Sequence, residues 1–195
     1  YGTAENAPPA SGNNFLVDIR DTNDAVIDLS VPGLFPLNDL ADGIQITNAA
    51  GGRISMRGVD LRGTGVTGIH VLNGTSADLD FRDITIQGQV NDPAIAIVSS
   101  GILLESSTST ASFSNISIEE DLAFHAVQLD TYTGDVTFID LNARTSNNDA
   151  TASTFYVHNG SPSSLTVGGT SILTNTATDN QVINLASGPT ALNMN

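Results

Sequence analysis

Two consecutive blocks of 25 residues share one pattern of apolar and turn residues, and this repeat limits the fold more than any other feature of the chain. Residues 43–67 read GIQITNAAGGRISMRGVDLRGTGVT, and residues 68–92 read GIHVLNGTSADLDFRDITIQGQVND. Alignment of the blocks places Phe81 on Met56. The apolar residues alternate with polar ones over short runs, as in β-strands. A fixed period of this length predicts a solenoid in which each repeat packs on its neighbours.

The repeat continues to the end of the chain, with turns of variable length, and we predict three strands per rung. Inward-facing pairs on the first strands are Ile44/Ile46, Ile69/Val71, Ile95/Ile97, Val127/Leu129, Phe155/Val157 and Ile183/Leu185. Those on the second strands are Ile54/Met56, Leu79/Phe81, Ala111/Phe113, Val136/Phe138, Leu165/Val167 and Leu192/Met194. Those on the third strands are Val59/Leu61, Ile84/Ile86, Ile116/Ile118, Leu141/Ala143 and Thr170/Ile172. Because stacked strands lie about 4.8 Å apart, we expect Phe81, Phe113 and Phe138 to form a column in the core.

The alternation slips once in each rung, between the second and third strands, where inward positions are three residues apart instead of two. The second residue of this bend is Gly, Asn or Asp in each of the five complete rungs, namely Gly58, Asp83, Asn115, Asp140 and Gly169. These residue types tolerate a left-handed backbone better than others. The pattern therefore predicts a corner with positive φ at each of these residues.

The chain divides into three predicted parts. Residues 1–14 are small and polar and read as a flexible lead or linker. Residues 15–42 hold two apolar runs and a proline-containing loop, which predict an N-terminal cap or an irregular first rung. Residues 43–195 form the β-helix repeats, about six rungs of an all-β fold. The last rung ends without a cap, so we expect either a fragment of a longer solenoid or an end that stacks on another subunit.

The net charge of the chain limits the classes of partner that it can bind. It has 21 acidic and six basic residues, a net charge of −15 and no cysteine. Such a surface repels phosphate groups, which predicts no nucleic-acid partner. No apolar stretch of about 18 residues is present, so we expect no membrane insertion. Without cysteine, disulfides and thiolate chemistry are excluded. We expect no cofactor, with calcium as the one ion that the acidic excess leaves open.

Three strands per rung, a two-residue corner with a left-handed residue and stacked like side chains resemble the right-handed parallel β-helix of the pectin-lyase-like superfamily. The resemblance covers about four fifths of the chain. Enzymes of that group usually work on the groove over the first strand, where the outward residues here are Gln45, His70, Ala96, Gln128, Tyr156 and Asn184. This row has no carboxylate, and glycoside hydrolysis needs two of them. The polygalacturonase motifs are also incomplete, because the chain has no lysine. We therefore assign no catalytic residue and take Gln45, His70, Gln128 and Tyr156 as candidate binding residues.

A second candidate site lies at the corner. Pectate lyases of the same superfamily use calcium held by acidic groups and an Arg or Lys that removes a proton. The resemblance implies an alternative site where arginines and carboxylates converge, at Arg57, Arg82, Asp60, Asp80 and Asp83. The simpler interpretation of this cluster is charge compensation between neighbouring rungs, as for Arg53 above Asp78.

These observations predict a non-enzymatic, extracellular or cell-surface β-helix with a structural or adhesive role, similar to bacterial adhesin and autotransporter passenger stalks. We expect it to associate end to end into a fibre or appendage, and to contact a host or environmental glycan or surface. The alternative is a polysaccharide-active β-helix, either a lyase or a hydrolase, or a glycan-binding module.

Overall fold

The computed structural model describes residues 16–36, 43–64, 67–88, 100–120, 125–146, 152–160, 162–177, 180–189 and 191–195. The strands are Val17–Arg20 (β1), Val26–Pro36 (β2), Ile44–Thr47 (β3), Arg53–Thr64 (β4), Ile69–Leu72 (β5), Asp78–Gly88 (β6), Ser100–Glu105 (β7), Ala111–Glu120 (β8), His125–Asp130 (β9), Val136–Thr145 (β10), Ser153–His158 (β11), Leu165–Gly168 (β12), Ile172–Asn175 (β13), Gln181–Leu185 (β14) and Leu192–Met194 (β15). Within these ranges every regular element is a strand, and no helix suited to crossing a membrane is found.

Two parallel sheets stack the strands into an all-β solenoid, which confirms the predicted fold class. The solenoid has about five turns, whereas about six rungs were predicted. The first sheet has the order β1-β3-β5-β7-β9-β11-β14, and the second has the order β15-β12-β10-β8-β6-β4-β2. Successive strands of one sheet come from successive turns of the chain. Each turn is therefore hydrogen-bonded to the turn before it and the turn after it, as expected for a solenoid.

The core lies between the sheets and is built from the predicted inward columns. Ile44, Ile69 and Val127 on the first sheet are fully buried, as are Ile54 and Phe113 on the second. Phe81 stacks on Phe113 with ring centroids 5.0 Å apart, and Phe113 stacks on Phe138 at 4.8 Å. The expected phenylalanine column is thus confirmed. Aromatic pairs of this kind add about 0.5–1.5 kcal/mol beyond the burial of their surface.

Every predicted corner residue has a left-handed backbone. The φ angles are 75° at Gly58, 55° at Asp83, 53° at Asn115, 56° at Asp140 and 69° at Gly169. Where we expected separate second and third strands, β4, β6, β8 and β10 each run through the corner as one bent strand. Only β12 and β13 are separate strands on either side of their corner.

A second row of left-handed residues was not predicted. It follows the strands of the first sheet directly, at Asp21, Asn48, Asn73, Ser106, Thr131 and Asn159, with φ between 48° and 54°. The sequence hides this row because serine and threonine stand in it beside the usual Asn and Asp. Thr131 is the least suited of these residues, since a β-branched side chain clashes with a left-handed backbone.

Two predicted strand positions are wrong. Ile102 and Leu104, rather than Ile95 and Ile97, stand beside Ile69 and Val71 in the first sheet. Both residues of the predicted pair lie outside the described residues. The run 94–98 alternates as well as the run 102–104, and only the stacking on β5 and β9 selects the second run.

The third strand of the next-to-last turn is shifted by one residue. Leu173, and not Ile172, is paired with the buried Ala143, and Ile172 faces outward with 54% of its surface exposed. Ser171 takes the place expected for an inward residue and accepts a hydrogen bond from the Leu141 amide at 3.1 Å. A shift of one residue turns every side chain of a strand to the other face.

The two ends of the stack leave strand edges open within the described residues. β14 pairs only with β11, and β15 pairs only with β12. At the other end β1 pairs with β3 and β2 pairs with β4, so strands also occupy part of the predicted 15–42 segment. The predicted lead, residues 1–14, lies outside the described residues.

Candidate functional site

The four binding residues predicted on the first sheet lie in one column on its outer face. The register joins Asp18, Gln45, His70, Leu103, Gln128, Tyr156 and Asn184 from one turn to the next. Leu103 stands where we expected Ala96, because β7 uses a different segment of the chain. The column lies outward because its members alternate with the buried isoleucines, leucines and valines of the core.

Side chains of this column are already engaged with protein neighbours. Arg20 Nη2 donates to Gln45 Oε1 at 3.1 Å, and Ser100 Oγ donates to Gln128 Oε1 at 2.9 Å. His70 Nε2 lies 3.1 Å from Glu105 Oε2. These contacts link neighbouring turns, and a ligand on this face would have to compete with them. The binding role of the row stays a prediction.

Tyr156 belongs to an aromatic cluster that was not predicted. Its ring stacks on His125 with centroids 4.3 Å apart and on His158 at 5.4 Å. His125 is almost fully buried, and burial lowers its pKa, so the imidazole is neutral at pH 7. His158 Nδ1 lies 3.6 Å from Asp130 Oδ1. His125 was missed because it precedes the alternating part of β9, where sequence periodicity carries no information on orientation.

The alternative site is only partly assembled. Arg57 and Arg82 stand beside each other on β4 and β6, with Asp80 two residues before Arg82. Asp83 is the left-handed corner residue itself, and its Oδ1 accepts a hydrogen bond from Asn115 Nδ2 at 2.7 Å. Asp60 lies beyond the corner, in register with Thr85. Arg57, Arg82 and Asp80 therefore share one surface. Asp83 lies at the corner, and Asp60 lies on the face beyond it.

Asp80 joins two arginines from neighbouring turns. Arg82 donates to it from Nε and from Nη2, both at 2.8 Å, and Arg53 Nη2 donates at 2.5 Å. Arg53 was expected to pair with Asp78. It stands in register with Asp78, but its side chain crosses to the next column and reaches Asp80.

The contacts of Asp80 shift two pKa values in opposite directions. The hydrogen bonds from Arg82 hold the pKa of Asp80 below its usual value, although partial burial acts the other way. Asp80 in turn raises the pKa of Arg82. A guanidinium with a raised pKa stays protonated near neutral pH and has no free lone pair to take up a proton, which disfavours Arg82 as the base of a lyase reaction. A carboxyl with a lowered pKa is also poorly suited to act as a general acid.

A groove of about 360 Å³ crosses the second sheet at this point. Apart from the buried Met56, its lining comes from three outward columns of β2, β4 and β6, namely Val26 and Arg53, then Asp28, Ser55 and Asp80, then Ser30, Arg57 and Arg82. Asp28, Ser30, Ser55 and Arg53 were not predicted as site residues. The alternation of the sequence already marks these residues as outward-facing. Recognising them as neighbours also requires the register between β2 and β4, which places Asp28 beside Ser55 and Ser30 beside Arg57.

No grouping of three or more His, Asp or Glu side chains that could hold a metal ion occurs in the described part of the chain. The calcium expectation therefore stays a prediction.

In comparisons with known proteins, the chain matches no protein-family model, no curated protein and no solved structure. The solenoid architecture is thus established by the strand pairing alone. The resemblance to the pectin-lyase-like superfamily and to adhesin stalks stays a prediction.

Proposed function

We propose that the protein is a non-enzymatic structural module, extracellular or on a cell surface, that extends by end-to-end stacking of its solenoid. The observation that carries the proposal is the open C-terminal turn. Leu192 and Met194 continue the core columns of Leu165 and Val167, yet they are 44% and 54% exposed. Open edges of parallel strands together with apolar side chains form a surface that accepts another strand.

The two ends are complementary in direction and in pattern. At the N-terminal end, Ile27 and Leu29 of β2 pack against the core and stand in register with Ile54 and Met56 of β4. A second copy placed head to tail would set β2 beside β15 and β1 beside β14, with all strands parallel. Such an interface is heterologous and does not close, so it produces a filament rather than a dimer.

Replacement of Met194 by Asp tests this proposal. The charge would stand in the column that the next subunit covers, so we expect filaments or higher oligomers of the unchanged protein to be lost. Sedimentation velocity over a range of concentrations, with negative-stain imaging, measures the change. Ile172→Asp is a matched control, because Ile172 is equally exposed at 54% but faces outward from β13.

A further turn of a longer chain is the other element that could cover the same edges. If the unchanged protein stays monomeric at high concentration, or if Ile172→Asp has the same effect as Met194→Asp, end-to-end stacking of copies is wrong.

The adhesive role, and the contact with a host or environmental glycan or surface, rest on the regular polar outer faces and are proposed on that ground alone. A lyase or hydrolase acting at the Asp80 cluster is less well supported, because the lowered pKa of Asp80 disfavours a general acid and the raised pKa of Arg82 disfavours a base. These pKa directions do not bear on the glycan-binding alternative.

A further inference from the structure

Three of the six arginines of this acidic chain line a single groove. The groove exists because Ser55 occupies the middle column of β4 while long side chains occupy the columns on either side of it. Arg53 borders it on one side, and Arg57 borders it on the other. A short residue between two long ones leaves a depression bounded by guanidinium groups.

Nearby carboxylates compensate Arg53 and Arg82 only in part, with Asp78 in register with Arg53. Asp80 is shared between Arg53 and Arg82, so one carboxylate faces two guanidiniums. Arg57 is exposed and forms no ion pair or hydrogen bond with another residue that the structure describes. A guanidinium has five N–H donors, and Arg82 uses two of them on Asp80. Arg57 and Arg82, which stand beside each other on adjacent turns, therefore both have unused donors.

Two further carboxylates near the groove do not neutralise Arg57. Asp28 lines the groove on β2, where its Oδ1 accepts a hydrogen bond from Ser55 Oγ at 3.2 Å. Asp83 interacts electrostatically with Arg82 at the corner, and its Oδ1 accepts a hydrogen bond from Asn115. The groove lining holds three arginines and two carboxylates, Asp28 and Asp80, in a protein whose net charge is −15. Asp78, in register with Arg53, and Asp83, beside Arg82, lie outside the lining.

We propose that this groove binds an oxyanion, either a carboxylate or a sulfate group, with Arg57 and Arg82 as its ligands. Paired guanidiniums match the planar or tetrahedral oxygens of such groups and form charge-assisted hydrogen bonds with them. Asp80 serves as a positioning residue, because its hydrogen bonds hold Arg82 in place. The groove reaches β2, the strand that the proposed end-to-end contact would cover, but Arg57 and Arg82 lie on β4 and β6, further inside the stack.

An NMR titration that follows the arginine Nε–H resonances tests the proposal with sulfate, acetate, glucuronate and glucose. We expect saturable shifts of the Arg57 and Arg82 signals with the anions and none with neutral glucose. A stronger effect of glucuronate than of acetate would identify a sugar-borne carboxylate, and an equal effect would identify a free anion. Arg57→Gln should weaken binding about tenfold or more, since it removes charge-assisted hydrogen bonds.

Arg144→Gln is the matched control, because it removes the same charge from the face beyond the corner, in register with Glu119. Arg57 is exposed and unpaired among the described residues, so its replacement should leave the circular dichroism spectrum and the melting temperature unchanged. Shifts that do not saturate, or an equal loss of binding in Arg144→Gln, would show that the anions respond only to overall charge and would overturn the proposal.

Discussion

Left-handed residues turn the chain at two places in most turns of the solenoid. The two rows differ in how well their residue types tolerate a left-handed backbone. At the predicted corner all five are Gly, Asn or Asp, and all five have positive φ. At the end of the first-sheet strands the same geometry is imposed on Ser106 and Thr131. A left-handed backbone costs an ordinary L-residue about 1–2 kcal/mol. The packed turns on either side therefore hold Thr131 in a conformation that it does not prefer.

Thr131→Asn should stabilise the protein by about 0.5–1 kcal/mol, because asparagine tolerates the left-handed region better than threonine does. The exposed hydrogen bond from Thr131 Oγ1 to Asp130 would be lost, and this loss is small. Chemical denaturation measures the free energy of unfolding. Thr133→Asn is the control, since Thr133 is also exposed but has no positive φ. A similar gain in both variants would argue against backbone strain as the cause.

Neighbouring strands are also connected by outward-facing side chains. These contacts differ from strand to strand, whereas the core columns repeat in most turns. The Asp80 carboxylate joins β4 to β6 through Arg53 and Arg82 while its own side chain is only 12% exposed. Both arginines remain about half exposed, so solvent screens part of the attraction. This cluster is therefore a stronger link than an ordinary surface ion pair and a weaker one than a fully buried pair.

Asp80→Asn should destabilise the protein by about 1–2 kcal/mol at pH 7, because charge-assisted hydrogen bonds to two arginines are weakened. The folded-state pKa of Asp80 is lowered, so its contribution is present above the unfolded-state value near ~3.9 and is lost as pH falls through the folded-state value. We expect the difference in unfolding free energy between variant and parent to shrink below about pH 4.

Asp78→Asn is the control for this measurement, since Asp78 is exposed on the same strand and its removal changes the net charge equally. A pH-independent difference for Asp80→Asn, or an equal effect of Asp78→Asn, would contradict the proposed role of the Asp80 cluster.

For the whole molecule, the net charge opposes association between copies, whereas the apolar C-terminal turn favours it. A net charge of −15 makes copies of the chain repel each other, whereas the exposed Leu192 and Met194 favour contact at the C-terminal turn. Repulsion over the length of the molecule is screened by salt, since the Debye length falls from about 10 Å at 0.1 M to about 3 Å at 1 M. The attraction that comes from burying apolar surface is not screened as the salt concentration rises.

End-to-end assembly should therefore increase when the salt concentration rises from about 0.1 M to about 1 M. Light scattering and sedimentation at fixed protein concentration measure this change, with Met194→Asp as the variant that should not respond. Assembly that dissociates as salt is added would point to attraction between charges and not to an apolar end contact.

The amino-acid sequence alone was sufficient to predict the solenoid, most of the inward columns and the left-handed corner, because each depends on local rules. Alternation of apolar and polar residues sets which side chains enter the core, and residue type sets where the backbone can turn to positive φ. Gly58, Asp83 and Asn115 could be placed without any knowledge of their neighbours in space.

Other features depended on which segments stack, and only the tertiary structure decided them. The use of Ile102 and Leu104 in β7 follows from pairing with β5 and β9, since the run that includes Ile95 and Ile97 has the same local pattern. The groove lined by Arg53, Arg57 and Arg82 likewise forms only where β2, β4 and β6 of three turns lie side by side. The hydrogen bond from Arg53 to Asp80 also joins residues of different columns on β4 and β6. Contacts between residues that are distant in sequence depend on the register of the stack, and a repeat of 25 residues does not determine that register through turns of variable length.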